Sequence, residues 1–244
     1  QAEVKMQQLV IDNLIGNNNL NISDIDLLVG GDLTNQIAIS NYSAKNYNIP
    51  FLGLYSACAT FVESLIVASS MIDGGKFKKV VGITSSHNLS AEKQFRFPIE
   101  YGAVKPKRST FTATGAVGVS LNNTSGKIKI ISATLGKVKD SYVKDAFNMG
   151  GVMAISAIAT FKEHLKNRCK SEEDYDLILT GDLGACGSKI FKRVLKSEGY
   201  NLKKYMDAGE NFYKKIDSTL RGNIAVETLA MLDAIGYDAA GIAP

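Results

Sequence analysis

Cys58 is the residue of this sequence with the surroundings best suited to nucleophilic chemistry. It follows Gly53-Leu54-Tyr55-Ser56-Ala57 and opens the apolar run from Ala59 to Ile72, so it stands where a buried strand hands over to a helix. A thiol there faces unpaired N–H groups and the positive end of the helix dipole, both of which favour the thiolate. The competing reading is a small core residue. Against it, Ser56, Ala57 and Ala59 would let a backbone or a ligand approach closely. Cys169 ends a charged helix and Cys186 follows a glycine-rich turn, and both read as structural. An acyl-transferring thiol needs a proton acceptor within hydrogen-bond reach, usually a histidine. His164 lies among Lys162, Glu163 and Lys166 and reads as a solvated helix-face residue. His87, in Ser85-Ser86-His87-Asn88, falls at a strand end opening into a long aperiodic stretch, which makes it the better site candidate.

Several chemistries are excluded by what is missing. With three cysteines in no CxxC pair and only two histidines, a structural zinc site has too few ligands. Gly181-Asp182-Leu183-Gly184-Ala185-Cys186-Gly187 has the wrong spacing for a dinucleotide turn, and Asp182 would repel a phosphate. There is no GxxxxGK[ST], HExxH or GxSxG. The formal charge of +4, from 28 basic and 24 acidic residues, is too small for a dedicated nucleic-acid binder. Basic character is local: Arg96, Lys105, Lys107 and Arg108 face only Glu100 between residues 94 and 108, with Phe95, Phe97 and Tyr101 interleaved. Guanidinium forks suit carboxylates or phosphates, and flat rings suit a planar ligand; a solvated loop is the alternative. No apolar stretch reaches the roughly 20 residues that span a bilayer, so the sequence reads as a soluble chain, trimmed at its Gln1 start.

The elements that must position these residues follow from periodicity. Met6, Val10 and Leu14 mark a helical stripe within Glu3 to Ile15. Asp26 to Gly31 is a short continuous apolar run, as for a strand buried on both faces. A helix from Asn35 to about Lys45, a strand at Pro50 to Tyr55, a helix from Ala59 to Ile72 and a strand at Lys79 to Thr84 complete an alternating pattern, hence a parallel α/β sheet. Residues 85–108 lack a period and are expected to form a long surface loop. Asp24 to Leu33 aligns without gaps to Asp174 to Leu183, six of ten positions being identical, and each copy follows a helical segment, the second from Gly151 to Arg168. Duplication with a pseudo-twofold is the reading, placing Asp32 and Asp182 at equivalent strand ends. The expected halves are 1–140, with the inserted loop 85–108, and 141–244, incomplete or divergent after about residue 213.

Two repeated α/β halves with a cysteine opening a central helix resemble the thiolase superfamily, which includes the β-ketoacyl synthases. Within it, Gly31-Asp32-Leu33-Thr34-Asn35-Gln36, Gly53 to Cys58, Ser85 to Asn88, Gln94 to Pro98, Thr112 to Ala116, Gly136 to Asp140, Lys144 to Gly150 and Thr180 to Gly184 are similar to a sporulation branch. The resemblance covers about residues 3–213; residues 217–244 do not match it. It implies a thiolase-like α/β fold and a non-catalytic binding protein for dipicolinic acid, pyridine-2,6-dicarboxylate, that takes part in its uptake into the developing spore. It further implies membrane-protein partners from the stage V sporulation A operon, peripheral association with the spore inner membrane, and a homodimer along the Pro50 to Leu54 edge. No resident cofactor is implied, calcium entering only as a companion of the ligand. The expected ligand-binding residues are Asp32, Asn35, Cys58, His87, Arg96, Lys105 and Asp182. The alternative is a Cys58-dependent acyltransferase or condensing enzyme. Condensing enzymes carry a catalytic histidine at the strand end where this sequence has Asp182, and a carboxylate would raise a nearby thiol's pKa.

Overall fold

The computed structural model describes residues 2–95, 112–124, 126–145, 147–209 and the backbone of 240–242. They fall into two compact units, one ending at Ile130 and the other beginning at Ile131.

In the first unit the order is α1 (Ala2–Asn17), β1 (Leu27–Asp32), α2 (Ala38–Ala44), β2 (Phe51–Gly53), α3 (Thr60–Asp73), β3 (Lys79–Ser86), α4 (Asn88–Phe95) and β4 (Gly115–Asn122). The sheet runs β2-β1-β3-β4, with β1 parallel to both neighbours and β4 antiparallel to β3. Every residue of β1 is buried, as its unbroken apolar run requires. Successive side chains point to opposite faces. Leu28 accordingly packs with Ile11, Ala44 and Ile83 on the side of α1 and α2, while Leu27 and Val29 pack with Ala68 and Ile72 of α3. Helices thus cover both faces of a parallel core.

The helical stripe of α1 is rotated from its expected place. Met6, Val10 and Leu14 are half-buried, whereas Glu3, Gln7 and Ile11 form the fully buried ridge. The stretch expected to be a loop over 85–108 is corrected in its first part: β3 extends to Ser86 and residues 88–95 are helical. Long-range bonds, which periodicity does not register, hold α4 in place. Asn88 Nδ2–H donates to the Thr112 carbonyl at 2.8 Å, Asn88 N–H to Thr114 Oγ1 at 2.9 Å and Thr112 N–H to Glu92 Oε1 at 2.9 Å. The remainder of that stretch, with Arg96, Lys105, Lys107 and Arg108, lies outside the described residues, as do residues 210–239.

The second unit contains α5 (Met149–Arg168), β5 (Ile178–Thr180), α6 (Gly184–Ser197), β6 (Tyr205–Asp207) and β7 (Ala240–Ile242). Its sheet order is β6-β5-β7, all parallel. Phe161, Phe191, Leu195, Ile178 and Leu183 form the core, with Phe191 stacked on Tyr205 at 4.8 Å and edge-on to Phe161 at 5.8 Å. The internal repeat extends well beyond the strand. In each copy a long helix is followed by a 3-10 turn closed by a capping box, Asn21 with Asp24 and Ser171 with Asp174, and then by a strand flanked by two parallel partners. Leu28 pairs with Phe51 in the first copy and Ile178 with Tyr205 in the second, so the register repeats too.

Gly30 shows how tightly β1 and β3 meet. Its φ is +142°, and a Cβ there would collide with the Ile83 carbonyl. Gly30→Ala combines backbone strain with a clash that no side chain can relieve. It is expected to lower unfolding free energy by about 3 kcal/mol or more, read as a lower midpoint in urea denaturation.

Candidate functional site

The first unit gathers its candidate residues along the carboxyl ends of β2, β1 and β3, the edge at which open α/β sheets hold ligands. Asp32 is the last residue of β1 and is wholly buried. Its Oδ2 accepts from the Ser40 N–H at 2.8 Å and the Ser40 hydroxyl at 2.7 Å, and its Oδ1 from the Thr34 N–H at 3.1 Å. Burial pushes the carboxyl up from the ordinary range, and the Ser40 and Thr34 donors oppose that shift. These bonds clamp the connection between β1 and α2. Within it Gln36 and Ile37 have φ of +56° and +53°, a left-handed pair that is unfavourable for a β-branched residue. Ile37 is held there because its side chain fills the space over Gly31 and Gly53, where a Cβ would strike it.

Asn35 is exposed on this loop. Its N–H donates to Gln94 Oε1 of α4 at 3.0 Å, and its own Oδ1 accepts from the Gln36 N–H at 3.1 Å. His87 stands between β3 and α4, where Nδ1 accepts from the Leu89 N–H at 3.3 Å and the carbonyl accepts from the Ala91 N–H at 3.0 Å. The imidazole therefore caps the helix that grips Asn35. Asp32, Asn35 and His87 are brought together in this way.

Cys58 shares the same sheet edge. It is exposed, in the 3-10 turn Ala57–Ala59 that leads into α3. Ala57 has φ +47°, and Thr60 Oγ1 fixes the bend by accepting from the Ser56 N–H at 3.0 Å and donating to the Ala57 carbonyl at 2.9 Å. Glu63, in the first turn of α3, has a buried Oε2 without a hydrogen-bond donor, and burial raises its pKa.

In the second unit Asp182 is half-buried, two residues beyond β5, and a Cβ on Gly209 would strike its carboxylate. The fully buried aspartate there is Asp207, at the end of β6. Its oxygens accept from the Thr180 hydroxyl at 2.8 Å and from the Leu183 and Gly184 N–H groups at 3.0 and 3.1 Å, capping α6 from a neighbouring strand. His164 is not the solvated residue its charged neighbours suggested. It is half-buried, with Nδ1 at 2.8 Å from Thr134 Oγ1 and Nε2 at 3.1 Å from Tyr175 Oη, and burial first, then Arg168, lowers its pKa. Helix polarity alone did not reveal that α5 lays this side chain against Tyr175. Among the described residues no group of three or more His, Cys, Asp or Glu is placed to hold a metal ion.

Two sets of residues were missed by the sequence reading. Glu3, Gln7 and Ile11 recur at helical spacing, so a buried polar ridge was legible had polar residues been counted in the stripe. Tyr205-Met206-Asp207 carries the same strand-ending aspartate as β1 but follows so short a strand that no pattern marks it.

A duplicated α/β unit with a cysteine at the start of a central helix, beyond a parallel strand, defines the thiolase-like class, and solved structures agree. The chain aligns to 3-oxoacyl-[acyl-carrier-protein] synthase III of Aquifex aeolicus with a TM-score of 0.62 and 16% identity, covering 97% of this chain and 77% of that one. Cerulenin-bound OleA of Xanthomonas campestris gives 0.67 and 12%, covering 96% and 72%. At such identities the likeness carries the fold alone. The chain belongs to the stage V sporulation protein AD (SpoVAD) family, whose profile matches residues 1–232. It is 46% identical over 213 residues to Stage V sporulation protein AD of Bacillus subtilis (strain 168), an alignment covering 87% of this chain and 63% of that protein. The chain thus spans less than two thirds of that relative's length.

Asp207 offers a direct check of the second unit. Asp207→Asn keeps the shape but replaces a charged acceptor for three donors with a neutral one that has a single oxygen. A loss of about 1–3 kcal/mol is expected, measured by urea unfolding, with α6 amide protection falling before that of α5 in hydrogen exchange.

Proposed function

We propose that this chain is a non-catalytic, thiolase-fold binding protein for pyridine-2,6-dicarboxylate that serves its uptake into the developing spore. The observation that carries the reading is the chemistry at the end of β5. Where likeness to the condensing enzymes would put an imidazole, this chain has Asp182 with Asp207 close by. A carboxylate cannot serve as a neutral-pH imidazolium donor. Neither histidine is an idle base: His164 has both ring nitrogens engaged and His87 caps α4.

The ligand is a flat dianion at neutral pH, so its carboxylates need N–H or cationic donors. The turn into α3 at Cys58 supplies N–H groups for one end. Arg96 and Lys105 supply the cations for the other, with Asn35 and His87 on the adjoining loop and helix. Asp32 acts from beneath, since its charge is directed to Ser40 and Thr34. Calcium, where it takes part, arrives with the ligand. The protein works as a homodimer through β2, which lies at the edge of its sheet. Its partners are the membrane proteins of the stage V sporulation A operon, at the spore inner membrane. Among the described residues no helix is long and apolar enough to cross a membrane.

Calorimetric titration with dipicolinate, with and without calcium, tests the reading. Arg96→Ala or Lys105→Ala is expected to weaken binding roughly thirtyfold or more, since truncating one partner of a desolvated pair costs about 2–5 kcal/mol. Cys58→Ala should do much less. The rival reading, a Cys58-dependent acyltransferase, wins if acyl-CoA loads Cys58 stably while the loop substitutions leave affinity within twofold of the parent.

A further inference from the structure

Beneath the Asn35 loop lies a buried polar network that the proposed function does not use. Gln7, wholly buried on α1, forks its amide: Nε2 donates to Ser40 Oγ at 2.9 Å and to Ser85 Oγ at 2.8 Å. Each serine passes a hydrogen bond on to a carboxylate, Ser40 to Asp32 Oδ2 at 2.7 Å and Ser85 to Glu3 Oε1 at 2.8 Å. Asp32 is 0% exposed and Glu3 3%. One buried amide therefore joins two serines and two acids. Its other end, Gln7 Oε1, is buried with no donor.

The two acids are not equivalent. Protonating Asp32 would sacrifice a bond to Thr34 or Ser40, the bonds that shape the loop. Glu3 shapes no loop, so it is the end that can carry the proton. Burial raises its pKa most; Asp32 adds to the rise, while Ser85 and His87 oppose it. The elements packed on α1 bring little else. Along β4 there is no ionisable side chain, α2 carries only the exposed Tyr42, and Lys79 stands at the far end of β3. On α1 itself, Lys5 is exposed and Asp12 accepts from Tyr47.

We propose that Glu3 and Gln7 are positioning residues of the Thr34 to Ser40 loop, with a proton on Glu3 and the amide fork together keeping Asp32 ionised and clamped to that loop. This rests on the reading of the loop as part of the ligand site, whose affinity is then coupled to the Glu3 proton. When Glu3 ionises, two buried negative charges share one fork, and the Asp32 clamp loosens. The sign follows from linkage. A carboxyl that holds its proton more tightly folded than unfolded contributes stability that is complete below the ordinary carboxylate range and is lost as pH rises through the raised folded value.

Nuclear magnetic resonance of the full chain between about pH 4.5 and 8 tests this, since that window starts at the ordinary carboxylate range. In the parent, the Thr34 and Ser40 amide shifts are expected to move with the midpoint of the Glu3 side-chain carboxyl, and the thermal midpoint to fall over the same interval. Glu3→Gln keeps the Ser85 bond and cannot ionise, so both responses should vanish while the fold remains. Gln7→Leu should leave Glu3 titrating but uncouple the amides, which a merely structural role would not do. Flat Thr34 and Ser40 shifts through the Glu3 titration in the parent would overturn the proposal. Calorimetry with dipicolinate forms a separate arm: about three- to tenfold tighter binding at the acid end of the window, absent in Glu3→Gln, supports the coupling. Equal pH dependence in parent and Glu3→Gln counts against it. Coupled amide shifts with no dipicolinate binding at any pH would retain the proton coupling and remove the ligand reading instead.

Discussion

A carboxylate buried at the end of a strand with no exposed face must bring its own hydrogen-bond donors, and much of the first unit is arranged around that requirement at Asp32. Helices cover both sides of β1, so water cannot serve, and an ionised group left without donors there would cost several kcal/mol. The donors come from the next residues in the chain, Thr34 and Ser40. Bending back to deliver them forces Gln36 and Ile37 into left-handed conformations. Ile37 then needs room, which only glycine at positions 31 and 53 provides. The glycines in turn let the strands close up, and the Leu54 N–H reaches the Gly30 carbonyl at 2.8 Å, setting the path of the chain toward Cys58. Strain in the loop is thus paid for by one buried charge and two missing side chains.

The second unit meets the same problem by a different route. Its aligned aspartate, Asp182, lies beyond the strand and remains half-buried, whereas Asp207 reaches across from β6 to the turn after β5. The paired positions make the exchange legible. Gly30 faces Gly53 in the first copy and Thr180 faces Asp207 in the second, so the residue opposite the end of the central strand has changed from a spacer into a cap. Thr180 adapts with it, its hydroxyl donating to Asp207. Duplication preserved the architecture while the carboxylate moved, which is why sequence identity at Asp32 and Asp182 overstated the equivalence of their surroundings.

Elements with strong apolar runs were legible in the sequence: β1, β3, α3 and α5 fall within a few residues of their expected bounds, because burial on defined faces leaves a periodic trace. What escaped has a common cause. The helix α4 is fixed by Asn88 and Glu92 bonding to residues twenty or more positions away, β4 by pairing to β3, and His164 by a tyrosine on the next segment. Such contacts are long-range, and one sequence carries no period that records them. The site was legible in part for the same reason. Cys58, Asn35, His87 and Asp32 could be found because strand ends are predictable places. Glu3 and Gln7 keep helical spacing with Ile11, but a stripe counted from apolar residues passes over them, and a polar helix face reads as exposed until its partner surface is known.

The buried acids also constrain what the sheet edge can accept. A dianion placed above a carboxylate in a low-dielectric setting is repelled unless the carboxylate's charge is spent in the opposite direction. Asp32 meets that condition, for its three donors lie in the loop it closes, and their dipoles point their positive ends inward at it. The outer surface of the same loop presents Asn35, held by Gln94 rather than by any charge. Negative charge is therefore sequestered below and neutral polar groups are displayed above. Such layering lets a protein keep an aspartate at the centre of a sheet edge whose outer surface stays neutral, and it makes the geometry of the loop the determinant of what that edge displays.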